Sequence, residues 1–146
     1  MNRIRTRHPA ALALLVGGAM AALVPVGAAI AEDSPPQGAG IQLQSSADLL
    51  ARGAGVSVPV TYQCAAGDQE IEISVEVVQR SGSGTTYAYG SRTAPCTGGP
   101  QSTTVTVTAG DRVFKKGTAV ATAEAFTCGF SFCGTISDSR EITISR

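Results

Sequence analysis

Apolar and polar residues alternate one by one along most of this chain. Val56, Val58, Val60 and Tyr62 are interleaved with Ser57, Pro59, Thr61 and Gln63. Ile71, Ile73, Val75 and Val77 are interleaved with Glu70, Glu72, Ser74 and Glu76, and the period recurs at Val105-Thr106-Val107 and Ile142-Thr143-Ile144. Successive side chains of a strand point to opposite faces, so this period makes one buried and one wet face. Strands of that kind pair antiparallel, with one side packed on a core. Turn residues interrupt the pattern at Gly53, Ala66-Gly67-Asp68, Ser81-Gly82-Ser83-Gly84, Gly98-Gly99-Pro100, Gly110-Asp111 and Lys116-Gly117. Seven strands are predicted between them: 41–50, 55–64, 70–79, 85–91, 102–109, 118–127 and 138–145. No helical period lasts three turns. A single turn near Ala47–Ala51 is the one helix candidate, and that segment reads as strand. Pro59 has no N–H to donate, which sends its strand toward an edge or a bulge.

Strand 118–127 offers two core faces. One is Ala119, Ala121, Ala123 and Ala125; the other is Val120, Thr122, Glu124 and Phe126. Burying an unpaired carboxylate is costly. The alanines are therefore predicted inward, and Glu124 and Phe126 outward. Short strands with regular turn signals and an aliphatic core predict an all-β fold, an immunoglobulin-like seven-strand antiparallel β-sandwich with two disulfides.

Residues 1–31 carry the marks of a secretory signal peptide. Arg3, Arg5 and Arg7 precede an apolar run from Ala10 to Val24, and small residues end at Ala29-Ile30-Ala31. The run is short for a spanning helix, rich in Ala and Gly, and followed by Pro25. The arginines are not adjacent, which argues against a twin-arginine signal, and no Cys lies at the cleavage site to carry a lipid. Residues 32–40 (EDSPPQGAG) read as a flexible leader, and 41–146 as the domain. The expected product is secreted and extracellular, with no membrane association after signal removal.

Cleavage after Ala31 would remove three of the 11 basic residues and none of the 11 acidic ones, leaving a net charge of −3. It would also remove His8, the only histidine. A chain without histidine cannot build a Ser-His-Asp or Cys-His nucleophile or a His-ligated metal site. A Ser nucleophile would need a Lys base, and no Ser-x-x-Lys spacing occurs. A mildly acidic chain without a basic stripe is a poor nucleic-acid binder. The expectation is therefore a non-enzymatic protein with no cofactor, no metal and no nucleic-acid partner.

Four cysteines in an exported domain read as two disulfides, with three possible pairings. Spacing favours Cys64–Cys96 with Cys128–Cys133, since four intervening residues suit a hairpin end. In the chain-entropy model the long loop is worth about 4 kcal/mol and the short one about 2 kcal/mol. A four-thiolate zinc site would need close spacing around Cys64 and Cys96, which is absent.

The candidate binding residues cluster near the clip. Phe126, Phe130 and Phe132 are three of the four phenylalanines, and the last two lie between Cys128 and Cys133. A clipped loop presenting aromatic rings loses little entropy on binding. Tyr87 and Tyr89 share one face of their strand and extend the candidate patch. Asp68, Glu70, Glu72 and Glu76 could offer oxygen ligands to Ca²⁺. The preferred reading is a solvated strand face that guards an edge.

The stretches GVSVPVTYQCAAGD, FKKGTAVATAEAFTC and SDSREITISR resemble small exported immunoglobulin-like domains of high-GC Gram-positive bacteria, over nearly all of 41–146. This resemblance implies fold and export. More distantly, the Cys128–Cys133 clip before the last strand is similar to one in the neocarzinostatin-type enediyne apoproteins. Those are secreted seven-strand sandwiches that hold an apolar chromophore in a cleft. Cys64 and Cys96 are set wider than that family's second bridge. The function expected is a secreted, non-catalytic binding or interaction module of unknown partner. The alternatives are a carrier of a small apolar ligand and an extracellular protease inhibitor.

Overall fold

A computed structural model describes residues 38–128 and 133–146. The predicted signal segment, residues 32–37 of the leader, and Phe130 and Phe132 lie outside the described residues. The described chain is all-β: β1 (Gly40–Leu43), β2 (Ser46–Leu50), a 3-10 turn at Ala51–Gly53, β3 (Gly55–Gln63), β4 (Glu70–Ser81), β5 (Gly84–Pro95), β6 (Gln101–Ala109), β7 (Gly117–Cys128) and β8 (Cys133–Ser145).

β1 and β2 are the two halves of the predicted strand 41–50, and both lie antiparallel on β3. The break at Gln44 and Ser45 falls beside Pro59. The Gln44 N–H donates to the Pro59 carbonyl at 3.0 Å. A strand residue's N and C=O face the same side, so the nitrogen of Pro59, which has no N–H, also faces that break. Pro59 therefore occupies a central strand, between β1/β2 and β6, rather than an edge. The irregularity it requires sits in its partner.

Beyond β3, the hydrogen-bonded order runs β6, β5, β4, β7, β8 and back to β2. The β2–β8 pairing is parallel, with Ser46 opposite Thr143, and all the others are antiparallel. With β1 and β2 counted as one, the strands number seven, as expected. The sheet, however, is mixed, not purely antiparallel, and it closes into a barrel rather than dividing clearly into two sheets. Residue alternation fixes faces and says nothing about which edges meet. Two local features bring the edges together here. The break after β1 sets β2 between β3 and β8. Gly90 lets β5 approach β6 closely, because a Cβ there would lie 2.2 Å from the Thr106 carbonyl oxygen. Arg92 spans the same seam, its Nη1 donating to the Thr104 carbonyl at 3.1 Å.

The interior is aliphatic. Val56, Val58, Val75, Val77, Val105 and Val107 are fully buried. Ala119, Ala121, Ala123 and Ala125 face inward and Glu124 and Phe126 outward, as the carboxylate argument requires. Among the described residues Phe114 is the largest fully buried side chain. It sits on the crossover between β6 and β7, where its N–H donates to the Gly53 carbonyl at 2.8 Å. Gly53 has φ +98°, and a Cβ there would meet the Phe114 carbonyl oxygen at 2.2 Å. Two buried polar side chains hold the same crossover. The Gln79 amide donates to the Lys115 carbonyl at 2.7 Å and accepts from the Lys115 N–H at 2.8 Å. Its register partner Thr86 donates to the Val113 carbonyl.

Cys64 is bonded to Cys96, joining the chain just after β3 to the chain just after β5. Cys128 is bonded to Cys133, its directly opposed partner at the ends of β7 and β8. Two disulfides fit an oxidising compartment. Among the described residues, no helix is long and apolar enough to cross a membrane.

Candidate functional site

β5, β4, β7 and β8 lie side by side with long registers, and their outward side chains form a grid. One row across the strands is Tyr87, Val78, Val120 and Glu141. The next is Tyr89, Glu76, Thr122 and Ser139, followed by Ser91, Ser74, Glu124 and Ser137. The last is Thr93, Glu72, Phe126 and Thr135. Among the described residues five large hydrophobic side chains are exposed, and four of them stand on this face: Tyr87 (58%), Tyr89 (56%), Val120 (49%) and Phe126 (62%). An exposed apolar cluster rimmed by polar groups is the usual mark of an interaction surface.

The alternation predicts which side chains stand here. It places Tyr87 and Tyr89 on one face, and the inward alanines force Phe126 out. The structure brings all three to the same side of the barrel at opposite ends. From the Tyr87 row to the Phe126 row is six residues along β4, about 20 Å at 3.4 Å per residue. Phe130 and Phe132 are outside the described residues. Sequence reasoning missed the stripe that joins Tyr87 to the middle of the face. Val78 lies directly between Tyr87 and Val120. The signal was legible, since Val78 and Val120 are each an apolar residue in the polar phase of their strand.

The polar groups between the aromatics are organised. The Tyr87 hydroxyl donates to Glu76 Oε2 at 3.1 Å. This bond and the carboxylate's negative charge raise the Tyr87 pKa above the usual 10.0. Thr122 and Ser139 hydroxyls are bonded at 3.0 Å. Ser74, Glu76, Tyr89, Thr122 and Glu124 border a hollow of about 80 Å³.

The acidic group Asp68, Glu70, Glu72 and Glu76 does not converge. Asp68 accepts a hydrogen bond from Thr127, Glu72 stands opposite Phe126, and Glu76 is engaged with Tyr87. Among the described residues no group of three His, Cys, Asp or Glu side chains is placed to hold a metal ion.

A cleft of about 470 Å³ opens where β1 and β8 are not paired. Its lining mixes Ile41 and Tyr62 with Gln42 and Gln63 and with Asp138 and Arg140. Asp138 Oδ2 accepts from Arg140 at 2.8 Å and from the Leu43 N–H at 2.8 Å, so this carboxylate ties β1 to β8. No protein-family model matches the chain, and no curated protein matches it.

Proposed function

We propose that the chain is a secreted, non-catalytic binding module and that the outer face of β5, β4, β7 and β8 is its contact surface. The observation that carries this reading is the gathering of Tyr87, Tyr89, Val120 and Phe126 on one exposed wall. Aromatic side chains contribute much of the affinity of protein interfaces, and an exposed apolar surface rimmed by polar residues marks an interaction site. The arginine-led apolar segment before Ala31 and the two disulfides support export. The lack of histidine after that segment supports a non-catalytic role.

The immunoglobulin-like sandwich remains the finer reading of the fold, and with it the relation to exported domains of high-GC Gram-positive bacteria. It is supported by uneven pairing around the barrel. β4–β5 and β7–β8 each share twelve register pairs, whereas the seams β5–β6 and β2–β8 share two and three. Short seams between long-paired walls are what two packed sheets joined at their corners would give. The carrier alternative has the cleft beside β1 in its favour, since its volume lies in the range of small-molecule sites. Its lining is too polar for an apolar ligand.

A photo-crosslinking amino acid placed at position 89 or 126 in the producing cells tests the surface. Adducts should form from these positions and not from Thr106, which is exposed on β6 in the opposite wall. Equal yields from all three positions would overturn the assignment.

A further inference from the structure

We infer that this face takes a basic partner: an extended segment or surface of another protein that carries Lys or Arg beside apolar side chains. The inference rests on the face being the contact surface and adds the chemistry of what it contacts. The outward phase of β4, β5, β7 and β8 holds five carboxylates, Glu70, Glu72, Glu76, Glu124 and Glu141, against one cation, Arg80. Neither of the two ion pairs among the described residues involves any of these six. The apolar stripe therefore lies among carboxylates that outnumber the cations of this face five to one, and none of them is held in an ion pair.

Charge complementarity selects the occupant. A second copy laid face to face would bring carboxylates against carboxylates, and like charges across an interface cost several kcal/mol. An anionic lipid surface or a nucleic acid would be repelled for the same reason. A Lys or Arg side chain meets the opposite situation at the hollow bordered by Tyr89, Glu76 and Glu124. Carboxylates flank that hollow, and an aromatic ring on its border can receive the cation's face. The stem of the cation and neighbouring apolar side chains would lie on Val78, Val120 and Tyr87.

Selection from a random peptide display library against the purified protein tests this. The peptides recovered should combine Lys or Arg with aromatic or aliphatic residues. Substituting Glu76→Gln and Glu124→Gln together should weaken the best of them by roughly tenfold, since exposed ion pairs are worth up to about 1 kcal/mol each. The amide that replaces the Glu76 carboxylate can still accept from the Tyr87 hydroxyl, so the wall should keep its fold, which circular dichroism and a melting curve would verify. Three results would overturn the inference. Recovery of acidic or uncharged peptides is one, and tight binding unchanged by the paired Glu→Gln substitution is another. The third is an empty selection. If uncharged peptides bind and lose affinity in Tyr89→Ser or Phe126→Ser, the surface stands and only the basic partner fails. If no substitution on this wall changes binding, the surface fails as well.

Discussion

The Gln79 amide gives the sharpest test of how this barrel is held together. Gln79 ends the inward row of β4 and is 2% exposed. Its side chain pairs with the main chain of Lys115 as a neighbouring strand would, and its Nε2 also reaches the Thr118 carbonyl at 3.4 Å. It thereby fastens the crossover carrying Phe114 to the wall. Gln79→Met keeps length and volume and removes every one of these bonds. Two well-formed hydrogen bonds contribute about 1 kcal/mol each, and an orphaned Lys115 N–H adds about 1–3 kcal/mol where water cannot reach it. The expected loss is about 3–5 kcal/mol, a large part of the roughly 5–15 kcal/mol that holds a domain together. Urea unfolding should show a lower midpoint with an unchanged slope. Gln79→Glu should fare no better, because its carboxylate keeps the acceptor, loses the donor and faces a carbonyl oxygen. A Gln79→Met protein within about 0.5 kcal/mol of the parent, the range typical of an inconsequential surface change, would refute the argument.

Four other outcomes are expected. Phe114→Ala should cost about 3–5 kcal/mol, whereas Phe126→Ser should leave the melting temperature nearly unchanged, since only the first ring is packed. Gly90→Val should lower stability by about 1–3 kcal/mol and speed amide exchange in β5 and β6, because the added side chain pushes against the Thr106 carbonyl; equal stability would mean that the β5–β6 seam is not needed. Burial raises the Tyr62 pKa above the usual 10.0 despite the opposing charge of Arg92. The folded state thus holds that proton more tightly than the unfolded one, so stability is fully present below pH 10.0 and falls as the pH rises above it; Tyr62→Phe should lack this component in melts across that range. Peptide mapping without reduction should link Cys64 to Cys96 and Cys128 to Cys133, and removing the first bridge should cost about 4 kcal/mol.

The strands and the facing of their side chains follow from local residue order. Period-two alternation needs only the geometry of an extended chain, so Ile71 to Val77 could be set inward and Glu70 to Glu76 outward without knowing any neighbour. The same logic, with the cost of a buried carboxylate, turned the alanines of β7 in and Phe126 out. Strand ends were less legible. β5 continues to Pro95 and β8 begins at Cys133, because pairing with β4 and β7 carries the ladder past the predicted strand ends at 91 and 138. Tertiary structure alone decided which edges meet. A proline in a central strand is tolerated because the break in its partner faces it, and β5 reaches β6 because Gly90 has no side chain. It alone also decided what lies beside what. Val78 and Val120 are 42 positions apart, and only the β4–β7 register makes them neighbours that join two strands' residues into one surface. Buried Gln79 offers no pattern to read, since its partners are main-chain atoms of a distant crossover. Local chemistry fixes the direction of each side chain, whereas long-range pairing fixes its company.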